Sequence, residues 1–282
     1  MTEWQWRERL CEIGRRVWQR GFVAANDGNF SQRIAPGRIL ATPTMLSKGF
    51  MRPEDLAVID EEGRQIAGER RVTSEIKLHL EIYRHRPEAQ AVVHVHPPHA
   101  TAFAVVQQPV PKCVLSEVEL FAGEIPIVPY ATPGSEELSE AARPYMRDYQ
   151  ALILANHGAV TIGRDIDDAY FLMETLEQYC RVLTIARQIG PVRQIEEARV
   201  GELLKIKQRL GIPDRRLRDG GNSGEAGVPS AECSTPSPAP LPPAPRPYAP
   251  AALAAPASTS DEGEIRAITD AVLSALRARG IH

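Results

Sequence analysis

Up to about residue 215, short strand-like apolar runs alternate with stretches of helical character. Helices are predicted over 3–20, 74–85, 99–107, 136–148, 166–189 and roughly 195–209, and strands over 38–42, 56–60, 91–96, 151–155 and 159–162. Thr73 or Ser74 is the expected cap of the 74–85 helix, and two prolines precede the 99–107 helix. This alternation predicts a mixed α/β domain built on a central sheet.

The pattern then changes. Ten of the chain's 24 prolines lie between Pro229 and Pro256. A segment so rich in Gly, Ser, Pro and Ala has little to bury, so 216–260 reads as a disordered linker. In 261–282, Ile265, Ile268, Val272, Leu273 and Leu276 recur at helical spacing. Asp261 with Glu264 resembles a capping box, and Gly280 suits a helix stop. Acidic Glu262, Glu264 and Asp270 precede basic Arg277 and Arg279, in the sense the helix dipole favours. Three parts are expected: a domain over 1–215, a linker over 216–260 and an amphipathic helix over 261–282.

Composition narrows the function classes. The chain has 282 residues, 43% of them hydrophobic, and a formal net charge of −3. That charge lacks the basic excess of a nucleic-acid binder. No apolar run reaches the length of a membrane-spanning helix. Met1 to Arg20 carries Trp4, Trp6 and several charges without an apolar core, unlike a secretory signal. Cys11, Cys113, Cys180 and Cys233 are far apart and form no CxxC pair, so reduced thiols in a cytosolic protein are expected.

Three of seven histidines, His94, His96 and His99, fall within six residues. On a strand, His94 and His96 share one face while Val93 and Val95 take the other. Two imidazoles so placed can grip one metal ion. His157 lies where another apolar run meets a His-Gly turn, again at a strand end. Three neutral imidazoles would leave a coordination position open, the catalytic arrangement for Zn²⁺. A lone His-x-His pair is more often structural than ligating. His79, His85, His99 and His282 read as exposed helix positions or chain end, with His99 also open to a supporting role. Glu75, at a predicted helix start, is either dipole decoration or a general acid/base. Thr73 and Ser74 could offer hydroxyls and helix N-terminal amides to a phosphate. Asn26–Ser31 and Ala41–Thr44 are two further polar loops, each also readable as turn chemistry. The chain holds no Walker A loop and no GxGxxG.

Taken in order, Asn26-Asp-Gly-Asn29-Phe-Ser31, Thr42-Pro43-Thr44, Thr73-Ser74-Glu75, His94-Val-His96-Pro, Pro129-Tyr-Ala-Thr-Pro-Gly-Ser135 and Asn156-His157-Gly158 resemble class II (zinc) aldolases of the L-fuculose-1-phosphate aldolase and L-ribulose-5-phosphate 4-epimerase group. The resemblance covers about residues 3–210. It implies a three-layer α/β/α domain around a mostly antiparallel sheet, and a fourfold homotetramer with sites at subunit interfaces. It implies Zn²⁺ on His94, His96 and His157, and Glu75 as the catalytic carboxylate. It implies phosphate binding by Asn29, Thr44, Thr73 and Ser74, with Ser31 a weaker addition. The implied activity is reversible aldol cleavage of a ketose 1-phosphate, L-fuculose 1-phosphate first, to dihydroxyacetone phosphate and a short aldehyde such as lactaldehyde.

Some positions depart from that pattern. Met45 stands where the fuculose enzyme has Gly, and Pro133 where the family has an aromatic residue. The family's proton-donating tyrosine falls near Leu115 here, which leaves its role to Glu117 or Glu119, themselves also readable as a solvated strand or loop. The 216–282 extension resembles the encapsulation peptides of bacterial microcompartment enzymes, so a shell protein is the expected partner. The plainer reading is a helix that docks on its own core. A 4-epimerase, a methylthioribulose-1-phosphate dehydratase and a non-catalytic scaffold are the competing readings. Family epimerases carry Asp at the place of Glu75, and scaffold relatives lack the ligand histidines.

Overall fold

The computed structural model describes residues 1–219. Helix α1 (Glu3–Gln19) opens on a capping box, in which Thr2 accepts from the Gln5 amide while the Gln5 side chain accepts from the Thr2 amide. Strands β1 (Asn29–Ala35), β2 (Arg38–Ala41), β3 (Ala57–Ile59) and β4 (Gln65–Ala67) follow. Next come α2 (Ile76–His85), β5 (Ala91–Val95), α3 (Pro98–Val106), α4 (Ser116–Phe121), β6 (Ile127–Val128) and α5 (Glu136–Met146). The described part closes with β7 (Ala151–Leu154), β8 (Gly158–Gly163), α6 (Ile166–Ile189), α7 (Glu197–Arg209) and α8 (Arg215–Asp219).

The eight strands form one sheet in the order β4-β3-β2-β1-β5-β8-β7-β6. Neighbours are antiparallel except β6 and β7, which run parallel. Alternation along β5 divides the molecule into layers. Ala91, Val93 and Val95 join a core shared with α1, α3, α4 and α6. Val92 joins the opposite core, with Ile76, Leu80 and Tyr83 of α2 and Leu138, Ala142 and Met146 of α5. Each such large side chain contributes roughly 1.5–3 kcal/mol on burial, so α2 is held firmly against the sheet. His94 shares the Val92 face and therefore points to the α2 side.

The expected α/β/α domain is present, with local corrections. Asn29 and Ser31, expected in a polar loop, are buried on β1, which carries polar side chains inward and so has no apolar alternation to read. The cap residue of α2 is Glu75 rather than Thr73 or Ser74, and Thr73 Oγ1 instead accepts from the Glu75 amide at 3.3 Å. Glu117 and Glu119 lie on helix α4, not on a strand or loop. Cys11 and Cys180 are free and buried, but Cys113 is disulfide-bonded, against the expectation of thiols throughout. Most of the expected linker and the whole 261–282 helix lie outside the described residues.

Candidate active site

Antiparallel pairing assembles the histidines. His94 of β5 faces Val160 of β8, and Val95 faces Ala159. The β7–β8 turn carries His157, preceded by Asn156 in the left-handed region at φ 54°. Gly158 follows because nothing larger fits: a Cβ there would lie 2.4 Å from the His96 ring and 2.6 Å from Val95 O. The three rings thereby converge, with one nitrogen of each within 4.8 Å of the others.

Hydrogen bonds orient these rings. His94 Nδ1 donates to Ala159 O at 2.9 Å, which puts its proton there and turns the Nε2 lone pair into the site. His96 Nε2 lies 3.3 Å from His94 Nε2, while its Nδ1 lies 3.4 Å from Asp27 Oδ2. Nitrogens held at about 2.0–2.1 Å by a tetrahedral ion stand about 3.3–3.4 Å apart, so this pair suits a common metal. His157 Nδ1 and Glu75 Oε1 are buried without a hydrogen-bond partner. Of the two, Glu75 Oε1 faces the histidine nitrogens, 3.4 Å from His157 Nε2, and a cation bound among them would relieve it. The residues fit a divalent ion with an open position.

Glu75 lies against this cluster. Its Oε2 is 3.3 Å from His94 Nε2, its Oε1 is 3.4 Å from His157 Nε2, and Asn29 Nδ2 donates to Oε2 at 2.7 Å. Burial favours the neutral acid, but His94, His157 and the Asn29 amide outweigh it and hold the carboxyl well below its ordinary range. Burial lowers His157 to about 3, with the charge of His94 adding to the effect. His94 moves upward: burial opposes its charged form, and the Glu75 carboxylate overcomes that.

A cavity of about 180 Å³ opens beside the cluster. Asn29, Thr44, Thr73, Ser74, Glu75, His96 and His157 all line it, so the fold unites loops that are far apart in sequence. Met45 joins this lining in the left-handed conformation, φ 56°. Ser31 belongs elsewhere: it is fully buried and bonded to His79 and Tyr83, hence no part of a phosphate site. Glu117 is exposed on α4. Glu119 is buried, accepting from Cys113 N at 2.6 Å and paired with Arg216 at 2.9 Å, so it is not free to replace the missing tyrosine.

Two site residues escaped the sequence reading. Lys48 is buried and donates to Asn26 O and Leu46 O at 2.9 and 2.7 Å, which ties two cavity loops together. Burial lowers its amine to about 8 against the opposing pull of Asp27 and Glu75. A single loop lysine gives no sequence signal of this. His79, expected to be exposed, is wholly buried. Its signal was the four-residue spacing of Glu75, His79 and Tyr83, which marks one helix face. His99 bonds Glu177 at 2.7 Å in a carboxylate cap on α3.

A family model described as Class II Aldolase and Adducin N-terminal domain matches residues 8–184. A 3-oxo-tetronate 4-phosphate decarboxylase of Escherichia coli strain K12 is 31% identical over 201 residues, which cover 70% of this chain and 94% of that protein. An L-fuculose phosphate aldolase of Methanococcus maripaludis strain S2 is 38% identical over 173 residues, covering 61% of this chain and 93% of that one. The crystal structure of YgbL from Klebsiella pneumoniae, a putative aldolase/epimerase/decarboxylase, superposes with a TM-score of 0.68 at 32% identity, over 72% of this chain and 99% of that one.

Proposed function

The chain belongs to the class II aldolase and adducin N-terminal domain family, and from that premise we propose a zinc-dependent lyase. It breaks a carbon–carbon bond beside the ketone of a phosphorylated substrate and releases dihydroxyacetone phosphate. The observation that carries this reading is the convergence of three imidazoles and Glu75 on a cavity lined by hydroxyl side chains. His94, His96 and His157 would hold Zn²⁺, which when bound supplies a Lewis acid for substrate oxygens. Thr44, Thr73 and Ser74, with amides at the start of α2, bind the phosphate. Asn29, expected at the phosphate, has its amide bonded at both ends to Glu75 and His79, so in this reading it orients Glu75 instead, which moves a proton to and from the carbon that loses its substituent.

The first substrate reading is a ketose 1-phosphate, L-fuculose 1-phosphate ahead of others, cleaved between C3 and C4 to leave lactaldehyde as second product. A second reading is decarboxylation of 3-oxo-tetronate 4-phosphate. Loss of its carboxyl group leaves the same three-carbon fragment with phosphate and ketone in the same relation. One structural observation favours this second reading. Aldol cleavage needs a further group to take the C4 hydroxyl proton, and Glu119 is committed to Arg216. Decarboxylation has no hydroxyl proton to remove; CO2 leaves with the substrate's own carboxylate, and the one proton the carbon then needs comes from solvent water by way of Glu75.

Dihydroxyacetone phosphate release, with and without a chelator, tests both. The panel is L-fuculose, rhamnulose and 5-deoxyribulose 1-phosphates and 3-oxo-tetronate 4-phosphate, with ribulose 5-phosphate as the epimerase control. Chelator-sensitive release establishes the lyase and selects the substrate. No release from any member by metal-loaded protein overturns the lyase reading in favour of an epimerase or a dehydratase.

The same proposal includes a cytoplasmic homotetramer carried into a bacterial microcompartment, with 261–282 as the peptide recognised by a shell protein. Its support is the Pro/Ala-rich segment followed by an amphipathic pattern. Truncation belongs after Asp219, since Arg216 is ion-paired with Glu119 and Asp214. Loss of shell association with catalysis intact is the expected result, and unchanged association overturns this part.

A further inference from the structure

Helix α2 and strand β1 meet along a polar seam inside the apolar core. Glu75, His79 and Tyr83 follow one another every four residues, a rise of about 6 Å on a helix. Asn29 and Ser31 are two residues apart on β1, a rise of about 6.7 Å on a strand. The near match lets the two sets interdigitate. Asn29 bridges Glu75 and His79, each at 2.7 Å. Ser31 bridges His79 and Tyr83, each also at 2.7 Å. His79 and Ser31 are fully buried, and Asn29 and Tyr83 nearly so.

The direction of every bond follows from one end. Asn29 presents Nδ2 to Glu75 Oε2 and Oδ1 to His79. Oδ1 accepts, so His79 carries its proton on Nε2. Its Nδ1 then accepts from the Ser31 hydroxyl, and Ser31 Oγ accepts from Tyr83. A reversed amide would set Asn29 Oδ1 against the carboxylate and Nδ2 against an imidazole N–H, breaking both bonds. Resting on Glu75 as the proton-transfer group, we propose that His79, with its proton on Nε2, is a positioning residue that locks the Asn29 amide and through it the Glu75 carboxylate. Oε2 is thereby engaged by Asn29, and Oε1, buried and free of hydrogen bonds, is left as the oxygen that exchanges the proton. Burial pushes His79 down to about 3, against the opposing pull of the Glu75 carboxylate, which agrees with a neutral ring at working pH.

Two measurements on the metal-loaded protein test this. In ¹⁵N spectra of the wild-type chain, His79 should be neutral and protonated at Nε2 at pH 7. A proton on Nδ1, or a cationic ring, overturns the lock irrespective of activity. Exchange of solvent deuterium into dihydroxyacetone phosphate reports the proton transfer alone. His79→Leu should slow it and kcat by about 10–100-fold, the cost of a small misplacement, with KM and metal content within about twofold. His79→Gln, whose amide can donate to Asn29 and accept from Ser31, should recover most of that loss. Normal exchange in His79→Leu, or no recovery in His79→Gln, refutes the proposal. Normal exchange in Glu75→Gln refutes the Glu75 reading instead, while the ¹⁵N result stands apart from it.

Discussion

Arg216 and Glu119, ninety-seven positions apart in sequence, form a buried ion pair at 2.9 Å. Lys207 and Asp214 complete the group, with Lys207 Nζ donating to Asp214 Oδ2 at 2.8 Å. Two cations thus neutralise two anions, and α4, α7 and α8 are joined. A buried pair is costly to break because the survivor keeps its charge without a partner. Arg216→Met should therefore destabilise the domain by about 3–5 kcal/mol and lower Tm by roughly 10 °C. Calorimetry on the full chain measures it.

The same group sets the acid limb of stability. Burial raises the Asp214 carboxyl, but hydrogen bonds from Arg216 and the charge of Lys207 prevail and hold it below its ordinary value of 3.8. A carboxyl depressed on folding contributes stability in full above its unfolded pKa and loses it as pH falls through the folded one. That contribution should be constant from pH 7 to about 5 and decline below about pH 4. A Tm-against-pH series should show a flatter acid limb for Asp214→Asn. An unchanged slope there would assign acid unfolding to other carboxylates.

Glu75→Gln keeps the shape of the side chain and the hydrogen bond from Asn29, and removes the base. Turnover should fall about 10²–10⁴-fold, the range of general acid–base contributions. Metal content by elemental analysis should stay at the wild-type level. Near-normal turnover would remove Glu75 from the mechanism.

His157→Ala deletes one of three converging nitrogens. Metal affinity, measured by competition with a chromogenic chelator, should drop by more than the about 10–100-fold typical of outer-shell changes. Asp27→Asn changes the partner of the far nitrogen of His96 and leaves all three ligands in place, so its loss should lie within that smaller range.

Thr73→Ala and Ser74→Ala should each raise KM for a phosphorylated substrate by about 10-fold or more, as expected for one hydrogen bond to a charged group. The kcat should change far less. Inorganic phosphate as a competitive inhibitor checks the same site, since its inhibition constant should rise in parallel.

Met45 adopts φ 56° and is 78% exposed. A left-handed L-residue costs roughly 1–2 kcal/mol, and Gly repays part of that through its freer unfolded chain. Met45→Gly should raise Tm by about 1–3 °C, because little apolar burial is lost. A fall in Tm would mean that the contact of Met45 Sδ with Asn26 Nδ2, at 3.6 Å, matters more than the backbone.

The residue types at the site were legible in the chain because metal and acid/base chemistry demand few of them. The two-residue spacing places His94 on β5 and His96 just past its end on the same side, and His157 and Glu75 stand at element ends where sites open. The layers were legible for a similar reason: apolar side chains seek burial wherever they recur, so β5, β7, β8 and α6 follow their sequence patterns closely. Polar residues placed inside have no such signature. β1 escaped because Asn29 and Ser31 are buried by hydrogen-bond partners on α2 that only the packed sheet brings within 2.7 Å. For His79 the spacing of Glu75, His79 and Tyr83 marks a shared helix face but not what covers it, and Glu119 lost its candidate role to an arginine supplied from α8. Hydrophobic pattern is local and survives in one dimension. Satisfaction of a buried polar group is a property of its neighbours in space, which the tertiary structure alone decides.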